Sequence, residues 1–101
     1  MAYLIRVDKY TRSARGMSCQ LRLEGCMPEN ETVVFAHLNG AGMGIKSLPI
    51  HGAYCCLNCH DIYDGRKQIE PPYDPEFMEL QMLRAVINTQ RIMARQGIIQ
   101  L

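Results

Sequence analysis

Polar and hydrophobic positions divide the chain into a basic start, a strand-rich middle and a long helical end. Residues 1–18 carry Arg6, Lys9, Arg12 and Arg15 against the single acid Asp8 and hold no sustained period, which predicts an ordered basic arm or short helix. Residues 19–23 read C-Q-L-R-L, with Leu21 and Leu23 on one side and Gln20 and Arg22 on the other. That alternation predicts a half-buried strand ended by Glu24-Gly25. After a polar loop, residues 32–37 read T-V-V-F-A-H, rich in β-branched side chains, and predict the best strand of the chain with His37 at its end. Residues 39–44 hold three glycines and residues 46–50 contain Pro49, so this stretch reads as loop. It lacks the G-K-[ST] of a phosphate cradle. Residues 51–55 predict a short second strand, and the stretch from Cys59 a helical turn ended by Gly65. Pro71-Pro72 closes this centre.

The end of the chain is the clearest element. Asp74 reads as a helix cap, Pro75 as its first turn, Glu76 and Glu79 as acids near the start, Arg91 and Arg95 as bases near the end, and Gly97 as terminator. Phe77, Leu80, Leu83, Val86 and Ile87 lie at helical spacing, broadened by Met78, Met82 and Met93, and this stripe is expected to form core.

Composition narrows the picture. At 101 residues, with 48% hydrophobic and 21% charged residues, the chain fits one globular domain and neither a disordered nor a fibrous class. Five cysteines stand against two phenylalanines and no tryptophan, so a core poor in large aromatics needs another staple. The first sixteen residues offer an apolar run only from Ala2 to Ile5, shorter than the roughly 7–15 residues of a signal-peptide core. No stretch approaches the roughly 20 apolar residues of a membrane span. The expectation is a cytoplasmic protein with reduced thiols and no membrane contact, and an odd cysteine count also suits a closed disulfide framework poorly.

Cysteine spacing then becomes informative. Cys19 and Cys26 form a loose pair and Cys56 and Cys59 a tight C-x-x-C, leaving Cys55 over. Two such pairs predict one structural, tetrahedral Zn²⁺ held by Cys19, Cys26, Cys56 and Cys59. Residues 56–60 also match the haem-attachment pattern C-x-x-C-H, which requires export, and a redox C-x-x-C, which wants a βαβ frame. Burial of all five as small hydrophobes is the plain alternative, and the one assigned to Cys55.

The histidines are His37, His51 and His60. His60 and Asp64, four residues apart, share one face if a helix opens at Cys59, and together can grip a divalent cation such as Mg²⁺. With His37 on a facing strand to deprotonate water, the set suits phosphodiester hydrolysis. Arg66 and Lys67 follow at once.

The order Cys19, Cys26, Ala36-His37, then G-M-G-I-K at residues 42–46 and C-L-N-C-H-D-I-Y-D at residues 56–64 resembles the YbcO family of small prophage proteins. So does R-G-M-S-C-Q at residues 15–20. Those proteins are related to the phage recombination-enhancement nuclease and belong to the HNH, or ββα-metal, nucleases. The resemblance implies an α+β fold, a small zinc-stapled ββα-metal domain with an added C-terminal helix. Residues 1–101 are then expected to form a single domain, with a basic arm over 1–18, a zinc and ββα core over 19–66 and a helix over 74–97. The resemblance itself runs from about Ser13 through Arg66, with the C-terminal helix agreeing in kind. It implies His37 as general base, and His60 and Asp64 as ligands of the catalytic metal. Two positions depart from the family pattern. The place before the base, often a metal ligand, is Ala36, and the middle Asn has only Ser47 or His51 nearby. The expected activity is a metal-dependent DNA endonuclease in prophage DNA processing or recombination. The alternative is a non-catalytic zinc module that binds DNA or a protein partner. Net charge is only +1, but the bases crowd the two cysteine pairs.

Overall fold

The computed structural model describes residues 9–38 and 50–100. In chain order it contains helix α1 (Lys9–Ser13), a single 3-10 turn (Asn30–Thr32), strand β1 (Val34–His37), strand β2 (Gly52–Cys55), helix α2 (Leu57–Tyr63) and helix α3 (Pro75–Arg95). The fold is α+β: an antiparallel hairpin runs directly into a short helix, and a long C-terminal helix packs on β2. The glycine-rich segment, Ser47 and the first eight residues of the basic arm lie outside the described residues.

Register explains how so small a sheet is held. Val34 pairs with Cys55, Phe35 with Tyr54, Ala36 with Ala53 and His37 with Gly52. Phe35 and Tyr54 meet at 6.2 Å between ring centres, and Tyr10 of α1 stacks on Phe35 at 6.4 Å. A Cβ at Gly52 would lie 2.6 Å from the Phe35 ring, so only glycine admits this approach. The outer edge of β2 is used as well. The Tyr54 N–H donates to Thr89 Oγ1 at 3.0 Å, and the Gln20 N–H donates to the Tyr54 carbonyl at 2.7 Å. Tyr54 also shares a 2.7 Å hydrogen bond between its hydroxyl and Ser13 Oγ, and burial raises its phenol above the usual range.

Helix α3 starts and stops where its sequence dictates. Asp74 Oδ1 accepts from the Glu76 N–H at 2.8 Å, and Pro75 occupies the first turn. At the other end Gly97 takes φ +75°, the Ile98 N–H reaches the Met93 carbonyl at 2.9 Å and the Gly97 N–H reaches that of Ala94 at 3.2 Å. This pair of bonds is a Schellman motif.

The face that α3 buries differs from expectation. Met82, Ala85, Val86, Thr89 and Met93 are buried, whereas Phe77, Leu80, Leu83 and Ile87 are 44–53% exposed. Close approach to the hairpin decides this. Small Ala85 and Thr89 let the helix descend until Thr89 bonds the β2 backbone, and flexible methionines fill the remaining space.

Three shorter elements also differ. Residues 19–23 form a loop in place of a strand: Leu21 and Leu23 are buried as the alternation required, but Arg22 turns into the left-handed region at φ +53°. The strand expected over residues 32–37 begins at Val34, because residues 30–32 close a 3-10 turn. Helix α2 opens at Leu57, two residues before Cys59, because Cys56 caps it and accepts from the Cys59 N–H.

Candidate functional site

Helix α2 carries a different chemistry at each end. At its start, the Sγ atoms of Cys19, Cys26, Cys56 and Cys59 all lie within 4.8 Å of one another, an arrangement that could hold a metal ion. Two loops build it. The first runs from Cys19 through the left-handed Arg22 to Gly25 at φ +77° and Cys26. The second is the β2-to-α2 junction. Backbone amides point at the sulfurs: Leu23 N–H donates to Cys59 Sγ at 3.2 Å, Met27 N–H to Cys56 Sγ at 3.3 Å and Cys59 N–H to Cys56 Sγ at 3.4 Å. Such donors favour thiolate over thiol.

The acidities of the thiols follow from crowding. A hydrogen bond with Cys59 holds Cys19 down at about 4 against its burial. Cys26 is pushed up to about 12 by burial and then by the neighbouring Cys19. Cys59 is also raised, first by its bond to Cys19 and then by burial. Close-set thiols therefore do not all ionise by themselves, and a cation at their centre would supply the missing positive charge. Cys55 lies in β2, fully buried, and desolvation raises its thiol. It stands outside the cluster, as its place in the spacing suggested.

One side chain that the spacing did not single out ties the two loops together. Asn58, inside the C-x-x-C and buried, donates from Nδ2 to the Glu24 carbonyl at 2.8 Å, while Lys67 Nζ donates to its Oδ1. A Cβ at Gly25 would sit 3.2 Å from the Asn58 amide, so the first loop lies flat against this residue. Tyr73 Oη accepts from the Glu24 N–H at 2.8 Å and joins the same loop to the approach to α3.

At the other end of α2, His60 Nε2 lies 3.0 Å from Asp64 Oδ2. Both side chains remain about one-quarter exposed. Arg66 completes the group: its Nη2 meets the same Asp64 oxygen at 3.1 Å and its Nε meets Asp61 Oδ1 at 3.1 Å. The local fold brings it there. Gly65 takes φ +79°, the Arg66 N–H reaches back to the Asp61 carbonyl at 2.8 Å and the Gly65 N–H to that of Ile62 at 3.1 Å, a second Schellman motif. The turn folds Arg66 over the helix end. The sequence signal available for it was a glycine stop at Gly65 followed directly by a base.

His37 ends β1 opposite Gly52, exposed, with its ring edge-on to Phe35 at 5.1 Å. It belongs to the hairpin end away from Cys55, while α2 begins beside Cys55. Ala36 is buried and contributes only a methyl group. An open groove of about 720 Å³ runs along α1 and β1, lined by Arg12, Arg15, Glu31 and Phe35 among others.

A hairpin running into a helix, with a four-thiol cluster at the helix start and a histidine–carboxylate pair at its end, defines a small α+β protein with a candidate metal centre. The model of the family described as "Putative nuclease YbcO" matches residues 8–98, and the chain belongs to that family. A solved structure described as a "putative bacteriophage protein" from Escherichia coli K-12 superposes with a TM-score of 0.71 at 31% identity. The match covers 86% of this chain and 98% of that one. No curated protein matches the chain. Among the described residues no helix is long and apolar enough to cross a membrane.

Proposed function

We propose that the chain is a metal-dependent DNA endonuclease of the HNH class, acting in prophage DNA processing or recombination. The observation that carries this reading is the His60–Asp64 pair at the end of the helix that directly follows the β1-β2 hairpin. In this reading His37 takes the proton from the attacking water, and His60 and Asp64 hold a divalent cation, Mg²⁺ or a similar ion. Such a cation would offset negative charge on the phosphorane and the leaving oxygen. Arg66 orients Asp64 through the same carboxylate oxygen that meets His60. The thiol set of Cys19, Cys26, Cys56 and Cys59, with its amide donors, suits structural Zn²⁺. Exposed Lys9, Arg12, Arg15 and Arg22 offer contacts to DNA phosphates that are independent of sequence. The protein would work in the cytoplasm.

The test is plasmid nicking by the full chain with Mg²⁺ or Mn²⁺. Wild type should nick, His60→Ala should lose activity with the fold intact, and His37→Ala should fall by roughly 100-fold or more. Equal rates in wild type and His37→Ala would remove the base from the mechanism.

A second reading, a zinc module that binds DNA or a protein without cutting, draws on two observations. Ala36 supplies no ligand before the base, and Asp64 Oδ2 is already shared by His60 and Arg66. Salt-sensitive gel shifts without cleavage under any divalent cation would favour it.

A further inference from the structure

Helix α3 is apolar on two sides. One side, Met82, Ala85, Val86, Thr89 and Met93, is buried, and the helix packs on β2. The other carries Phe77, Leu80, Leu83 and Ile87, each 44–53% exposed. Elsewhere among the described residues only Val34 and Leu57 are large, apolar and so exposed. At 100° per residue Leu80, Leu83 and Ile87 fall within about 60° of one another, facing away from the core side. A helix with two apolar faces is built to lie between two bodies, and the described residues supply one of them.

Charge along the same helix indicates the second body. Residues 68–79 contain Glu70, Asp74, Glu76 and Glu79 and no lysine or arginine. Residues 80–101 contain Arg84, Arg91 and Arg95 and no acid. Terminal charges of this sign also favour the helix by itself, but that effect fades within the first and last turns, and Glu79 and Arg91 lie deeper. A helix acidic at one end and basic at the other is complementary to its own reverse. We infer that the outer face of α3 is a homodimer interface in which two copies of this helix cross antiparallel about Leu83. Leu80 of each copy meets Ile87 of the other, and the Glu76 and Glu79 end of one lies along the Arg91 and Arg95 end of the other. The contact is isologous, the commonest oligomeric symmetry. Spanning 21 residues, or about 32 Å, the helix is long enough for the roughly 800 Å² per partner of a standard interface.

This inference is independent of the nuclease reading, and its test measures mass, not cleavage. Sedimentation velocity on the full, metal-loaded chain at roughly 100 μM should give twice the 11.5 kDa chain mass. A single species of chain mass would overturn the inference, including in favour of a different protein partner. Leu83→Glu with Ile87→Glu changes only exposed positions, so it should give monomer with unchanged circular dichroism and metal content. A dimer that survives it would place the interface elsewhere. Orientation has its own test. Glu76→Arg with Glu79→Arg, and separately Arg91→Glu with Arg95→Glu, should each lose self-association, and mixing the two variants should restore a dimer. Failure of the mixture to associate would overturn the antiparallel arrangement.

Discussion

The two ends of α2 are built by opposite strategies. The thiol end draws Cys19 and Cys26 to Cys56 and Cys59 from some 30 residues away, buries most of the set and surrounds the sulfurs with backbone donors. The carboxylate end takes His60, Asp61, Asp64 and Arg66 from one stretch of seven residues and leaves them open to solvent. A cation at the closed end would link distant parts of the chain, whereas one at the open end would touch only local structure and could still reach a ligand from solution. Folding should therefore depend on the first end and chemistry on the second.

Breaking the thiol end tests this most severely. Cys56→Ser removes one of four converging sulfurs, and the loss should reach several kcal/mol, enough to unfold a domain of this size. Metal content near zero and a lost thermal transition are the expected readings, and a strong chelator should reproduce them in the wild type. A fully cooperative melt in Cys56→Ser would erase the contrast between the two ends.

Acid should separate the ends next. Thiols hold a cation as thiolates, and Cys26, at about 12 without a metal, must give up its proton on binding. Affinity therefore rises with pH, and the stability that the metal contributes is lost as pH falls. Metal release followed with a chromogenic chelator from about pH 8 to about pH 5 should increase monotonically.

Substitutions at the open end should matter far less for folding. Gly65→Ala meets no atom within 4 Å, so its cost is backbone strain alone, about 1 kcal/mol, read as a small shift in thermal midpoint. Arg66→Ala removes two exposed ion pairs, to Asp61 and Asp64, and should change stability by less than about 1 kcal/mol. Under the proposed nuclease reading its larger effect should fall on nicking rate and divalent-cation dependence, because Asp64 loses one of its two partners. A large stability loss in Arg66→Ala would show that the carboxylate end also holds the fold.

Much of this arrangement was legible in the sequence. The order of two strands and a following helix came from β-branched runs and glycine punctuation, and the caps of α3 from Asp74, Pro75 and Gly97, because those signals are local. Residues 19–23 misled because a loop that buries alternate leucines repeats the period of a strand, and only a positive φ at Arg22 distinguishes them. The core side of α3 was hidden for a related reason. Periodicity locates apolar faces but does not rank them, and with two present the smaller residues won the inside by fitting the hairpin. Asn58 escaped, and the pairing of Arg66 with Asp61 and Asp64 was not foreseen, because both depend on partners brought near by turns at Gly25 and Gly65.

The hydrogen bonds along the outer side of β2 carry one more consequence. With the Tyr54 amide given to Thr89 and its carbonyl to Gln20, that edge has no vacant rung at its centre. A foreign strand could not add there without first prying α3 from the sheet, so the hairpin stays two strands wide and is guarded against edge-to-edge aggregation on that side. Any enlargement of this sheet, by evolution or by design, has to proceed from β1.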